Sequence, residues 1–302
     1  MFAPAQAADT ISFTDDLGRK VEIPTKPTAI VSMHDSVLTI PLIELGVIPA
    51  GSHGRETKQG VPFIRSGKGL TGYDFDNSSI KFVGNYPADV EKVAAVKPDL
   101  IITTPWQKAP IDQLQAIAPT IVIDYNKHSD QEIFELLAKI TGTTERFNVL
   151  LGRYEQQIKR IKRIIDTENI TVNVIQPNKG QILVWNTYGN IGKVLRDAGF
   201  TFPQITNDIP MDDIGRFSAE KLQDLDADYV FATYRTDQLQ SPKDTVEGFE
   251  QVVPGFCEYL TACKEGRMLV IPREEASSNS FLALSISAYT VLTHISGHPY
   301  NK

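Results

Sequence analysis

Two rhythms of apolar and polar positions alternate along the chain. Short apolar runs at 28–33, 47–52, 81–84, 100–104, 120–124, 170–175, 181–186, 229–233 and 268–271 read as strands. Between them, segments with apolar residues every three or four positions read as helices. The helix over 36–45 ends at Gly46, Ser129 with Glu132 forms a capping box for a helix ending near Gly142, a helix over 191–198 ends at Gly199, and a last one runs over 280–296. Two hairpins are signalled by turn residues, one over 10–24 around Asp16-Leu17-Gly18 and one across Pro177-Asn178-Lys179-Gly180. Alternating strands and helices predict an α/β fold with mainly parallel sheets.

The longest helical signal covers 145–166, with Thr144 as N-cap. Phe147, Leu150, Leu151, Tyr154, Ile158, Ile161 and Ile165 share one face. Roughly 22 residues at 1.5 Å each make a rod of about 33 Å, without Pro or Gly between Glu155 and Asp166. Its place in the middle of the chain suits a bridge between two lobes, with boundaries at 1–7 (leader remnant), 8–143, 144–167 and 168–302.

The lobes carry a repeat. Val90-Glu91-Lys92-Val93-Ala94-Ala95-Val96-Lys97-Pro98-Asp99-Leu100-Ile101-Ile102-Thr103-Thr104 recurs 129 residues later as Ala219-Glu220-Lys221-Leu222-Gln223-Asp224-Leu225-Asp226-Ala227-Asp228-Tyr229-Val230-Phe231-Ala232-Thr233. Each copy predicts a short helix opened by Asp89 or Ser218, then an aspartate, then a buried strand.

These copies, with 14–24, 27–32, 115–120 and 264–270, resemble the iron-siderophore and cobalamin receptors of ABC importers, the helical-backbone class of periplasmic binding proteins. The resemblance covers almost the whole chain. It implies two α/β lobes joined by one long helix, with the ligand in a cleft between the lobes. It also implies a monomeric periplasmic protein that carries a ferric siderophore to an inner-membrane ABC permease dimer. The chelator already wraps the iron, so neither an intrinsic cofactor nor protein ligands to the metal are implied. Cobalamin or heme is the alternative cargo, and for heme His34, Tyr86 or Tyr188 could serve as axial ligand. In this family one glutamate per lobe meets arginines of the permease, and Glu91 and Glu220 occupy the matching positions. A dimeric partner presents two related surfaces, which one equivalent anionic contact per lobe would meet.

Composition narrows the alternatives. A chain of 302 residues with 41% apolar and 22% charged side chains can build two modest cores. A net charge of -7 argues against a nucleic-acid partner, and Lys159, Arg160, Lys162 and Arg163 read as the solvated side of a helix. No apolar run reaches the roughly 20 residues of a membrane span. Residues 2–8 resemble the tail of a cleaved signal peptide, with Ala5-Gln6-Ala7 in the small-x-small pattern and no following Cys to carry a lipid. Cys257 and Cys263 lie six apart, which requires a bend if they pair and leaves their pairing open. Neither these cysteines nor His294 with His298 supply the ligand set of a metal site. The run Gly67-Lys68-Gly69-Leu70-Thr71-Gly72 fits a dinucleotide fingerprint but lacks the strand and helix that would flank one. A two-lobed α/β enzyme is the rival class. The chain holds no P-loop, nucleophile elbow or His-Glu metal motif that would support it.

Parallel sheets bind ligands beyond the carboxyl ends of their strands. In the first lobe those ends offer His34, Asp35, Asn85, Tyr86, Trp106, Tyr125 and Lys127. In the second they offer Trp185, Tyr188, Arg216, Tyr234, Arg235 and Arg273, while Arg55 and Arg65 lie in a Gly-rich insertion over 54–80. From these, the candidate binding set is Arg55, Arg65, Tyr86, Trp106, Trp185, Tyr188, Arg216, Arg235 and Arg273. Guanidinium forks match carboxylate, catecholate and hydroxamate oxygens, and aromatic faces stack on a flat chelate. These residues do not rank the three chelator types.

Overall fold

The computed structural model describes residues 9–211 and 213–297. The leader remnant over 1–7 and His298 lie outside the described residues. The chain divides into two compact units between Leu150 and Leu151, a point inside the long helix Thr144–Ile164. Along that helix Phe147, Leu150, Tyr154, Ile158 and Ile161 are buried, as the helical period predicts.

The first unit opens with the expected hairpin of β1 (Thr10–Thr14) and β2 (Lys20–Pro24), turning at Gly18 with φ 76°. It continues with β3 (Ile30–Ser32), β4 (Gly51–Ser52), β5 (Arg55–Glu56), β6 (Pro62–Phe63), β7 (Lys81–Phe82), β8 (Leu100–Thr103) and β9 (Thr120–Val122). Among the described residues, β7-β4-β3-β8-β9 form one parallel five-stranded sheet, and β5 pairs antiparallel with β6 inside the Gly-rich insertion. Every residue of β3, β8 and β9 is buried, the signature of a sheet covered on both faces. Asp15 ties the hairpin to the sheet by accepting from Val122 N as well as from Arg19 and Leu17. Burial alone would raise the Asp15 carboxyl, but the hydrogen bonds from Arg19 and Val122 bring it below its ordinary value.

The helix expected over 36–45 is split into a wide turn, Asp35–Thr39, and an α-helix, Ile40–Glu44. Pro41 lacks the N–H that a single continuous helix would use there. The run 67–72 is itself mostly helix, Gly67–Thr71, packed against Ile64, and makes no phosphate loop.

The second unit contains β10 (Val172–Asn178), β11 (Gln181–Val184), β12 (Gly215–Phe217), β13 (Tyr229–Tyr234) and β14 (Met268–Pro272), in the order β12-β11-β10-β13-β14. The predicted hairpin makes β10 and β11 antiparallel, β12 adds antiparallel to β11, and β10, β13 and β14 run parallel. This second sheet is therefore mixed, where the first is wholly parallel.

The two repeat copies differ in their helical part. Val90–Val96 is an α-helix whose N-terminus is capped by Asp89, accepting from Glu91 N and Lys92 N. The second copy forms two 3-10 turns instead, Ala219–Lys221 and Gln223–Leu225. Ser218 makes no side-chain cap bond, and the Asp226 carboxylate is taken by Thr261 N and Oγ1. The repeated aspartates have the same task in each unit. Asp99 accepts from Thr28 N and Ala29 N just ahead of β3, and Asp228 accepts from Thr171 N just ahead of β10.

Cys257 and Cys263 form a disulfide with Cα atoms 5.0 Å apart. The bend it needs comes from a break between the 3-10 turn Phe256–Glu258 and the helix Thr261–Lys264.

Candidate functional site

In the first unit, the carboxyl ends of β3, β4, β7, β8 and β9 lead into His34, His53, Tyr86, Trp106 and Tyr125. The half-buried Trp106 ring is the hub. It stands 4.6 Å from Tyr86, 5.2 Å from His34 and 5.4 Å from His53 between ring centroids. Arg55 lies 5.3 Å over the Trp106 ring and Lys108 lies 5.9 Å over Tyr86. Tyr125 meets His34 edge-on at 5.7 Å.

A buried glutamine locks these loops. Gln107 Oε1 accepts from Ala88 N at 2.8 Å, while its Nε2 donates to Met33 O and Asn85 O. The loops after β3, β7 and β8 are thus tied together by one side chain.

Beneath the rings lies the fully buried Asp35. Burial alone would raise its carboxyl, yet His53 and the Arg65 guanidinium hold it well below the usual carboxylate range. Arg65 Nη2 donates to Asp35 Oδ1 at 2.8 Å and to Ser36 Oγ at 2.7 Å. Both histidines use Nδ1 as an acceptor, His34 from Val37 N and His53 from Asp35 N. Burial pushes His34 down to about 3, so it is neutral at physiological pH.

The second unit holds a cavity of about 520 Å³. Trp185, Tyr188, Arg235 and Arg273 all line it, so four candidates taken from three separate strand ends meet in one place. Trp185 and Tyr188 stand edge to face at 4.9 Å. Gly189 follows with φ 47°, and a Cβ there would strike Ala276 O at 2.6 Å, so this glycine lets helix Gly189–Asp197 start hard against helix Arg273–Ser277. Tyr188 and Arg273 are thereby brought onto the same cavity. Arg235 is held by Asp237 through bonds of 3.0 and 2.6 Å. Arg216 does not line the cavity. It is exposed on β12, donates to its neighbour Ile214 O, and sits opposite the cavity residue Leu183 in the strand register.

Two site residues were not among the candidates read from the sequence. Each stands one place past a predicted strand end, His53 after 47–52 and Gln176 after 170–175, but neither is an Arg, Trp or Tyr; in the structure Gln176 lies within β10, which runs on to Asn178. Glu91 and Glu220 are exposed, each in the first turn of its helical segment.

Two α/β units with aromatic and guanidinium side chains at the carboxyl ends of their sheets define a solute-binding protein. The chain belongs to the periplasmic binding protein family, whose model matches residues 46–274. It is 28% identical over 237 residues to the iron(3+)-hydroxamate-binding protein FhuD of Bacillus subtilis (strain 168), spanning 76% of this chain and 70% of that one. In fold it is similar to a FhuD-fold periplasmic binding protein component of a Fep/Fec-like ferrichrome ABC transporter from Bacillus subtilis, with TM-score 0.73, 24% identity, and 94% and 99% of the two chains covered. It is likewise similar to Staphylococcus aureus SirA complexed with staphyloferrin B, with TM-score 0.72, 21% identity, and 93% and 97% covered. Among the described residues no helix is long and apolar enough to cross a membrane, and no group of three or more His, Cys, Asp or Glu is placed to hold a metal ion.

Proposed function

We propose that this protein is a periplasmic receptor that binds a ferric siderophore and delivers it to an inner-membrane ABC permease dimer for iron uptake. The observation that carries the reading is the cavity of the second unit, where Trp185, Tyr188, Arg235 and Arg273 converge. Arginine forks suit the oxygen donors of an iron chelate, and the two rings offer stacking and edge contacts. The Trp106 hub with Arg55 and Tyr86 repeats that chemistry in the first unit. Arg65 supports that hub through Asp35, and Arg216 adds positive charge beside the cavity. Relatives named for iron-hydroxamate and staphyloferrin binding support the same cargo class. The iron arrives wrapped, so recognition is of the chelate surface, by a chain acting as a monomer without an intrinsic cofactor. Glu91 and Glu220 are the proposed contacts to the permease.

Fluorescence provides the test, because Trp106 and Trp185 are the only tryptophans. Ferric siderophores of the hydroxamate, catecholate and citrate types should be titrated against their iron-free forms. Saturable quenching by at least one ferric form is expected. A sharp Soret band with hemin, and no response to any ferric siderophore, would replace the reading with heme capture.

A further inference from the structure

The buried end of the cavity is organised around Thr233. Pairing between β10 and β13 ends at Val174 and Phe231, while β10 continues to Asn178 paired on its other edge with β11. The Thr233 N–H is left without a ladder partner, and an unmet buried donor is costly. Gln176 meets it, with Oε1 accepting from Thr233 N at 3.1 Å. Thr233 O accepts from Thr245 Oγ1 at 3.0 Å, and Thr233 Oγ1 shares a hydrogen bond of 3.1 Å with Tyr188 OH. Every polar atom of Thr233 is therefore engaged.

These bonds fix which way the Gln176 amide faces. Thr233 N is a donor and must meet the carbonyl oxygen, so the amide cannot be flipped and its NH2 group is the one left over. That Nε2 is buried and has no hydrogen-bond partner among the described residues. Gln176 is only 9% exposed and lines the cavity.

We infer that Gln176 is a ligand-binding residue, whose NH2 donates to an oxygen atom of the bound chelate at the buried end of the cavity. The inference rests on the siderophore reading of that cavity. Arg235 and Arg273 bring charge, which attracts any anion. A neutral donor held in one direction instead selects where an oxygen lies, and so contributes to discrimination between chelates. The internal repeat agrees in register. Ile30 pairs with Leu100 and Val172 with Tyr229, so counting four residues along each strand puts Gln176 at the place His34 holds beside the Trp106 hub.

The test uses Gln176→Glu, which keeps an acceptor for Thr233 N and removes the NH2 donor, and Gln176→Met, which removes both. Wild type and variants are titrated at pH 8 with ferrichrome, ferrioxamine B, ferric enterobactin and ferric citrate, and thermal unfolding is followed in parallel. For a chelate that binds the wild type, both variants should bind at least tenfold more weakly, with Gln176→Glu unfolding within a few degrees of wild type. A second readout uses the gallium form of the same chelate and protein with 15N-labelled glutamine. The Gln176 side-chain NH2 resonances, assigned by their loss in Gln176→Glu, should shift on binding. If a chelate binds the wild type, binds both variants equally and leaves those resonances in place, Gln176 is not a ligand contact although the siderophore reading stands. If none of the chelates binds the wild type, the siderophore reading fails and this assignment falls with it.

Discussion

Asp35 Oδ1 lies 2.8 Å from Arg65 Nη2, and the aspartate side chain is completely buried while the arginine side chain is 31% exposed. An arginine that the insertion offers as a ligand contact is thus already the counter-charge of an interior carboxylate. Removing one partner from such a pair leaves an uncompensated charge, which costs about 3 kcal/mol or more. Arg65→Ala is therefore expected to lower the urea midpoint by an amount equivalent to about 3 kcal/mol. Adding Asp35→Asn in the same chain should recover part of that loss. An unchanged midpoint in Arg65→Ala would free Arg65 for a direct role in binding.

The His34 imidazole gives stability a pH dependence of known sign. Its proton affinity is depressed to about 3 by burial, against about 6.5 in an unfolded chain. Between those values the unfolded state binds more protons, so stability falls as pH falls, by up to about 1.4 kcal/mol per pH unit from this group. His34→Asn keeps a side-chain acceptor for Val37 N and removes the titration. Denaturation series from pH 6.5 to pH 4 should show a shallower decline for the variant. Parallel curves would mean that another group accounts for the acid sensitivity. Asp35 acts at lower pH. With its folded value depressed, its contribution is complete above about pH 4 and is lost only as pH falls further.

How far the site could be read beforehand followed from the kind of signal each residue gives. Trp106, Tyr188, Arg235 and Arg273 stand just past predicted strand ends and Trp185 at the end of one, where chain direction alone brings side chains to one edge of a sheet. The capping box of Ser129 and Glu132 and the hairpin over 10–24 were equally legible, because both are local hydrogen-bond patterns. The pairing of Asp35 with Arg65 spans 30 residues, and the Gln176 bond to Thr233 spans 57, so neither leaves a local trace. The second repeat copy has the length and spacing of a helix. Yet Asp226 is drawn off by Thr261 35 residues away, a tertiary demand that local preference does not contain. The cysteine pair depended in the same way on a break in the chain between residues 258 and 261.

The arginines near the second-unit cavity are expected to differ in importance. Arg273 is exposed on the cavity wall, Arg235 shares its charge with Asp237, and Arg216 lies outside the lining. A charge-assisted hydrogen bond to the chelate is worth about 1.5 to 3 kcal/mol. Arg273→Ala should therefore weaken binding by roughly one to two orders of magnitude. Arg235→Ala should have a smaller effect, and Arg216→Ala the smallest, one that shrinks further in salt because exposed charge is screened. Affinities that fell most in Arg216→Ala would move the cationic contact to the β12 edge.

Glu91 and Glu220 test transporter docking separately from ligand binding. An acidic residue in a first helical turn has a simple local explanation, since it complements the helix dipole by about 0.3 to 1 kcal/mol. That explanation is weak at both positions. Helix Val90–Val96 already has Asp89 bonded to its first N–H groups, and Glu220 sits in a 3-10 turn of three residues, too short to build an appreciable dipole. Both side chains are exposed, at matching places in the two copies of the repeat. An exposed carboxylate that does little for its own helix is free to meet a cationic partner, and two equivalent ones suit a partner built from two like subunits. Changing both to Gln removes the charges without changing shape. The double variant should keep its fold and its chelate affinity, and its unfolding midpoint should stay within about 0.5 kcal/mol of wild type. In vesicles carrying the cognate permease it should fail to stimulate ATP hydrolysis, and cells relying on it should lose ferric siderophore uptake. Each single variant should retain part of the activity, because one contact would remain. Full transport by the double variant would show that the glutamates do not dock the receptor and that the permease reads some other surface.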